Sequence, residues 1–158
     1  MIEVGQRIPS ATLYTMSAAG PAPISTNEVF GGKRVVVFGV PGAFTPTCSD
    51  EHLPGFVEQA AAIRARGIDT IACLAVNDPF VLQTWAKATG ANAILMLSDG
   101  NLDLTPKLGL EMDASRAGLG TRCQRFSMVA DDGVVSVLNV EKPGRLEVST
   151  AAAILCQL

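Results

Sequence analysis

No stretch of this sequence approaches the roughly 20 apolar residues that a membrane-spanning helix needs. A basic footprint is missing too. Twelve Lys and Arg are scattered among fifteen Asp and Glu, and the formal net charge of −3 argues against a nucleic-acid-binding surface. Histidine is reduced to one residue, His52, and the four cysteines (Cys48, Cys73, Cys123 and Cys156) form no Cys-x-x-Cys pair, which disfavours a zinc site. Four cysteines are also too sparse for a secreted disulfide scaffold. The opening Met-Ile-Glu-Val-Gly-Gln-Arg is polar at once, unlike a secretory signal, and the closing Cys156-Gln157-Leu158 matches a peroxisomal address only loosely. The expectation is a reducing, cytoplasmic setting, in which a cysteine is a core residue, a metal ligand or a reactive thiol. With no repeat, low-complexity tract or linker, residues 1–158 read as one domain, and a hydrophobic content of 48% suffices for a sizeable core.

What is present alternates between strand and helix patterns. Residues 5–30, rich in Gly, Pro, Ser and Thr, read as short strands and turns, and Gly31-Gly32 is a turn signal. Lys33–Val40 is a continuous β-branched run, as expected of a strand buried on both faces. Pro41-Gly42 ends it. Ser49 and Asp50 are helix-start residues, Pro54 suits a first turn, and Phe56, Val57, Ala60 and Ile63 form an apolar stripe up to the stop at Gly67. Asp69–Val76 then reads as a strand, Pro79–Ala88 as a helix capped by Asp78, and Ala93–Leu97 as a short strand. Arg125–Ala130 and Val134–Val140 flank the hairpin signal Asp131-Asp132-Gly133, and Ser149–Gln157 reads as a closing helix. This order predicts an α/β fold, a mixed central sheet with helices on both faces, consistent with a thioredoxin-like architecture.

Chemistry concentrates at Cys48. It follows a buried strand and a loop bracketed by Pro41 and Pro46, at the predicted start of a helix. There, unpaired backbone N–H groups and the helix dipole favour an anion, and a cysteine attacks as its thiolate. Thr45, three residues earlier, offers a hydroxyl that can donate to sulfur, and the two prolines can shield the site from water. The alternative is that Cys48 is a small buried hydrophobe, the common fate of an unpaired cysteine.

The run Pro41-Gly-Ala-Phe-Thr45-Pro-Thr-Cys48-Ser resembles the active-site segment of the peroxiredoxins, in the version of their type II, peroxiredoxin-5-like subfamily. His52-Leu-Pro-Gly-Phe-Val-Glu58, Val76-Asn-Asp-Pro-Phe-Val81, Gly118-Leu-Gly-Thr-Arg122-Cys-Gln-Arg125-Phe-Ser-Met-Val129 and Leu138-Asn-Val-Glu141 are similar as well, so the resemblance spans nearly the whole chain. It implies a thioredoxin-like fold and reduction of hydrogen peroxide or alkyl hydroperoxides without a cofactor. Carried over by position, it makes Cys48 the peroxidatic nucleophile, Thr45 the hydroxyl that orients the peroxide and Pro41 the shield. Arg125 becomes the cation that supports the thiolate and holds a peroxide oxygen, with Arg122 a weaker candidate. Phe44 and the backbone N–H groups of Thr47 and Cys48 complete the substrate-binding set. Family members often dimerise around the active-site loop, which makes Phe44 a candidate contact in a homodimer.

The resemblance leaves recycling open. The segment Gly144–Thr150, where animal-type members carry a resolving cysteine, has none. Plant and bacterial type II members often place a second cysteine where Cys73 stands, 73 − 48 = 25 residues on. Cys73 lies in an apolar strand and reads first as a core thiol, which would need local unfolding to reach Cys48. The working expectation is therefore one-cysteine turnover with glutathione, glutaredoxin or thioredoxin as external reductant. Cys123 reads as incidental, His52 as a buttress of the site rather than a base, Trp85 as core or partner surface, and Glu51 as a solvated charge or a partner of the arginines. Three rival readings are weaker. A thiol–disulfide oxidoreductase needs a cysteine where Thr45 stands; a binding module predicts loss of Thr45, Cys48 or Arg125; a cysteine hydrolase needs an oriented histidine.

Overall fold

The computed structural model describes residues 1–158. A seven-stranded sheet runs through its middle, built from β1 (Thr12–Ser17), β2 (Gly20–Ser25), β3 (Arg34–Gly39), β4 (Thr70–Ala75), β5 (Leu95–Ser98), β8 (Phe126–Asp131) and β9 (Val134–Val140) in the order β2-β1-β5-β4-β3-β8-β9. The central strands β3, β4 and β5 are parallel, and β1 and β8 join them antiparallel on either side. A two-stranded ribbon, β6 (Glu111–Asp113) with β7 (Thr121–Cys123), stands apart.

The β-branched run behaves as its pattern requires. Along β3, Val36 and Phe38 enter one core and Val35 and Val37 the other, and all four are buried. Alternate side chains leave a strand on opposite faces, so a strand in the middle layer must be apolar throughout. On one face Leu53, Phe56 and Ile63 of α2 (Leu53–Arg64), Leu82 and Trp85 of α3 (Pro79–Thr89), and Ala151 and Ile154 of α5 (Ala151–Leu155) close the first core. On the other, Phe30 of α1 (Thr26–Phe30) and Leu108 of α4 (Thr105–Leu108) join Ile2, Ile8 and Phe126. The expected mixed sheet with helices on both faces is thus present.

Two short helices escape the sequence pattern, since four or five residues show no period. Side-chain caps hold them instead. Ser25 and Glu28 form a capping box at α1, where turns had been expected. Buried Asp99 accepts the N–H groups of Asp103, Leu104 and Thr105 ahead of α4. The β8–β9 turn follows its signal: Asp132 and Gly133 both have positive φ, 47° and 75°, the geometry that Asp-Gly favours.

Candidate active site

β3 delivers the chain to the site. Gly39 at its end packs under Phe126, where an added Cβ would lie 2.1 Å from the ring, so no larger residue fits. The loop that follows is held from several sides. Ala43 N–H donates to Asn77 Oδ1 at 2.8 Å, and Arg122 donates from Nη1 to the Pro41 carbonyl at 3.3 Å and from Nε to Leu119 O at 2.9 Å. A Cβ at Gly42 would stand 3.0 Å from Arg122 Nη1, so a larger residue there would displace the end of that side chain. Phe44 takes φ 64°, unusual for a non-glycine residue, and leaves its ring 54% exposed.

Helical winding starts at Pro46, not at Ser49 or Asp50, which moves Thr47 and Cys48 into the first turn. Backbone N–H groups of a first turn have no acceptor within the helix. Cys48–His52 then form one wide π turn, closed by Leu53 N–H on the Cys48 carbonyl, before α2 begins. Such turns are rare and concentrate at functional sites. Here the wide turn buries both Cys48 and His52 on its inner side.

A chain of hydrogen bonds converges on the sulfur. Arg125, one residue before β8, donates from Nη2 to Cys48 Sγ at 3.1 Å and from Nη1 to His52 Nδ1 at 3.0 Å. His52 Nε2 lies 2.9 Å from the Ser149 carbonyl. A guanidinium only donates and a carbonyl only accepts, so the neutral imidazole must carry its proton on Nε2 and present a bare Nδ1 to Arg125. His52 is buried against Phe38 and Phe56, and that burial lowers its pKa to about 4, against a smaller opposing effect of the Ser149 carbonyl. Ser149 is fixed in turn by Glu141. One carboxylate oxygen, Oε1, accepts from the N–H groups of Glu147, Val148 and Ser149 at 2.7 Å each and from the Ser149 hydroxyl at 2.9 Å. Burial pushes the Glu141 carboxyl upward, but these four donors together bring it below its ordinary value. Glu141 N–H also donates to the Arg125 carbonyl at 3.0 Å, tying the ends of β8 and β9 together.

Cys48 itself is fully buried. Beside it a cavity of about 420 Å³ opens to solvent, with Pro41, Thr47 and Arg125 among its lining. The arrangement can hold a sulfur anion against a fixed cation, with first-turn donors and a shielded approach.

The whole chain fits one family. Residues 3–155 match the Redoxin family model. The chain is 49% identical to a chloroplastic peroxiredoxin-2E-2 of Oryza sativa subsp. japonica, over 98% of this chain and 71% of that one. It is 43% identical to peroxiredoxin-2B of Arabidopsis thaliana, over 98% and 96%. A crystal structure of reduced Prx3 from Vibrio vulnificus in complex with hydrogen peroxide superposes with a TM-score of 0.96 at 49% identity, covering 99% of both chains. The chain belongs to the peroxiredoxins. It is therefore an oxidoreductase of the peroxide-reducing, thiol-dependent class, on a thioredoxin-like fold.

In this peroxiredoxin the tertiary structure brings Cys48, Arg125, Pro41 and Thr47 to one place, and each sequence candidate can be located. Thr45 departs from the expectation in one respect: its hydroxyl donates to the Gly42 carbonyl at 2.7 Å rather than to sulfur, which leaves it an acceptor toward the site. Arg122 braces the Pro41 loop and does not serve the sulfur. Glu51 is exposed and bonds neither arginine. Cys73 lies on β4 opposite Phe38, fully buried in the same core as Cys48. Burial drives its thiol well above the ordinary range, and the neighbouring Cys48 and Cys123 act in the same direction. Cys123 is buried on the other side of the sheet with its thiol likewise raised by burial, and Cys156 is exposed. Trp85 is core and donates to Ser49 Oγ at 3.0 Å, tying α3 to the π turn, while Phe80 is exposed. Sequence reasoning gave no role to Ser149 or Glu141, the latter quoted only as part of a family motif.

Proposed function

We propose that Cys48 is the peroxidatic residue and that it attacks as a thiolate held by Arg125. The observation that carries this reading is the 3.1 Å bond from Arg125 Nη2 to Cys48 Sγ at the first turn of a helix. In the step, sulfur attacks one peroxide oxygen. A sulfur–oxygen bond forms as the oxygen–oxygen bond breaks and sulfur loses two electrons. The attacked oxygen keeps its hydrogen, and the second oxygen takes the electron pair, picks up a proton from solvent and leaves as water or an alcohol. Cys48 becomes a sulfenic acid. Charge grows on the leaving oxygen, where Arg125 and the first-turn N–H groups of Thr47 and Cys48 stabilise it. Thr45, with its own proton turned to Gly42, accepts a hydrogen bond from the O–H of the hydroperoxide and so orients it. Pro41 narrows the approach.

His52 acts here as a positioning residue, not a base, because its only lone pair is engaged by Arg125. Glu141 and Ser149 serve the same end from one step farther away. Outer partners of this kind typically change rates 10- to 100-fold at metal sites, and a similar scale of about tenfold is expected here.

Recycling by an external thiol (glutathione directly, glutaredoxin or thioredoxin) is the reading the other cysteines favour. Thiolates attack, and thiols do not. Cys73 is buried with its pKa raised, so it is a poor internal partner. A first thiol attacks the sulfenic sulfur and releases water, and a second resolves the mixed disulfide. Such turnover suits a reducing compartment such as the cytoplasm. We further infer a homodimer that covers Phe44, whose ring is exposed by a strained backbone. The deciding experiment follows hydrogen peroxide consumption with glutathione plus glutaredoxin and then with thioredoxin, for wild type, Cys48→Ser and Cys73→Ser. Activity retained by Cys48→Ser overturns the site, and activity lost by Cys73→Ser with every reductant overturns one-cysteine turnover.

A further inference from the structure

The cavity beside Cys48 is larger than hydrogen peroxide requires. Its volume is about 420 Å³, the size of a small-molecule site. Arg125 and Thr47 mark the end nearest the sulfur. Met112 and Pro143 supply apolar wall. Lys142 and Arg145 also line it, from the loop between β9 and α5. Neither cation is firmly neutralised. Lys142 makes no salt bridge, and Arg145 has only a surface pair with Glu147, both partners more than half exposed. Exposed pairs of that kind contribute little and exchange readily. Glu141 is the only acid in the lining, and its Oε1 is engaged by four donors. In a chain of formal charge −3, three cations and one acid around a single cavity form a local reversal of sign.

We propose that this cavity is a subsite for the carboxylate of a small organic reactant of Cys48, with Lys142 and Arg145 as the specificity-determining residues. The proposal rests on the reading of Cys48 as the reacting group. An apolar stem would lie along Met112 and Pro143, with the reactive end toward Arg125 and the carboxylate at Lys142 and Arg145. Two reactants of that chemistry exist in the cycle. One is an organic hydroperoxide bearing a carboxylate, which oxidises Cys48. The other is a carboxylate-bearing thiol such as glutathione, which reduces the sulfenic acid. Both must approach the same sulfur.

Single-turnover kinetics separate them. In the oxidative arm, a fatty-acid hydroperoxide is compared with its methyl ester on reduced protein. In the reductive arm, glutathione is compared with its diethyl ester on protein oxidised at Cys48. Each arm is read as the ratio of acid rate to ester rate, in wild type, Lys142→Ala/Arg145→Ala and the charge-reversed Lys142→Glu. The ratio is expected to fall roughly three- to tenfold from wild type to the double variant in at least one arm, and further in Lys142→Glu. The wild-type ratio should also shrink as salt is raised, since exposed charges are screened over about 8 Å at physiological ionic strength. The arm that responds identifies the reactant. Ratios unchanged in both arms overturn the proposal, and so does a parallel fall of acid and ester, which would mark a merely structural effect. Wild-type protein that fails to consume hydrogen peroxide at all would instead sink the underlying assignment of Cys48.

Discussion

Cys48 and Cys73 make an instructive pair. Both are fully buried, both belong to the same core and both are unpaired. Their surroundings differ in one respect. Cys48 sits in a first helical turn with a guanidinium 3.1 Å from its sulfur. Cys73 sits in the middle of a parallel strand, where backbone donors are committed to the neighbouring strands. Burial alone makes a thiol inert by disfavouring its charged form. Reactivity in a buried thiol therefore depends on donors brought to it, and here they come from a strand end 77 residues away in sequence.

The contrast can be broken or sharpened by substitution. Cys48→Ser should abolish peroxide turnover, by more than about a thousandfold, in a steady-state assay with any reductant. Arg125→Met should slow single-turnover oxidation of Cys48 by about 10²- to 10³-fold, as expected for loss of a principal charge-stabilising donor. Arg125→Lys should recover little of that, because an ammonium cannot reach sulfur and His52 Nδ1 at once.

Acid should weaken the site through His52. Its pKa is about 4 in the folded protein against an ordinary 6.5, so the unfolded chain takes up the proton first. Between those values the unfolded state binds more protons, and stability falls as pH drops from about 6.5 to about 4, by on the order of 3 kcal/mol. Urea denaturation at pH 7 and pH 4.5 should show that loss in wild type and a smaller one in His52→Asn. Glu141→Gln should slow Cys48 oxidation by about tenfold. Because His52 is the only histidine, its ring ¹⁵N shifts report the tautomer directly, and the Nε2–H form should dominate in wild type. Cys73→Ala should change turnover with an external thiol by less than about twofold, since removing an unengaged thiol leaves every donor to Cys48 in place. A large effect there would erase the distinction between the two cysteines.

Much of the frame was legible from pattern. The Lys33–Val40 run reads as a strand buried on both faces, Asp78 as a helix cap and Asp131-Asp132-Gly133 as a hairpin turn, and each of these forms. Helices α1 and α4 were not legible, since caps rather than periodicity define them. At the site, Cys48 stood out by its place after a strand and loop. Arg125 entered only through resemblance, because nothing local distinguishes it from a solvated charge at a strand end. Thr45 was expected to donate to sulfur; its proton turns instead to the Gly42 carbonyl, since the turn that offers that acceptor forms only on folding.

The residue order by itself determined which segments become strands and helices and that a cysteine opens a helix behind a proline-bracketed loop, because propensity, caps and apolar period act over a few neighbours. Tertiary structure alone decided which of four thiols faces a cation, which nitrogen of His52 holds its proton, and that Glu141 reaches through the backbone of residues 147–149 toward Ser149. Those outcomes depend on charges and donors far apart in the chain, and electrostatic effects of that kind exist only once packing has fixed distance and removed water.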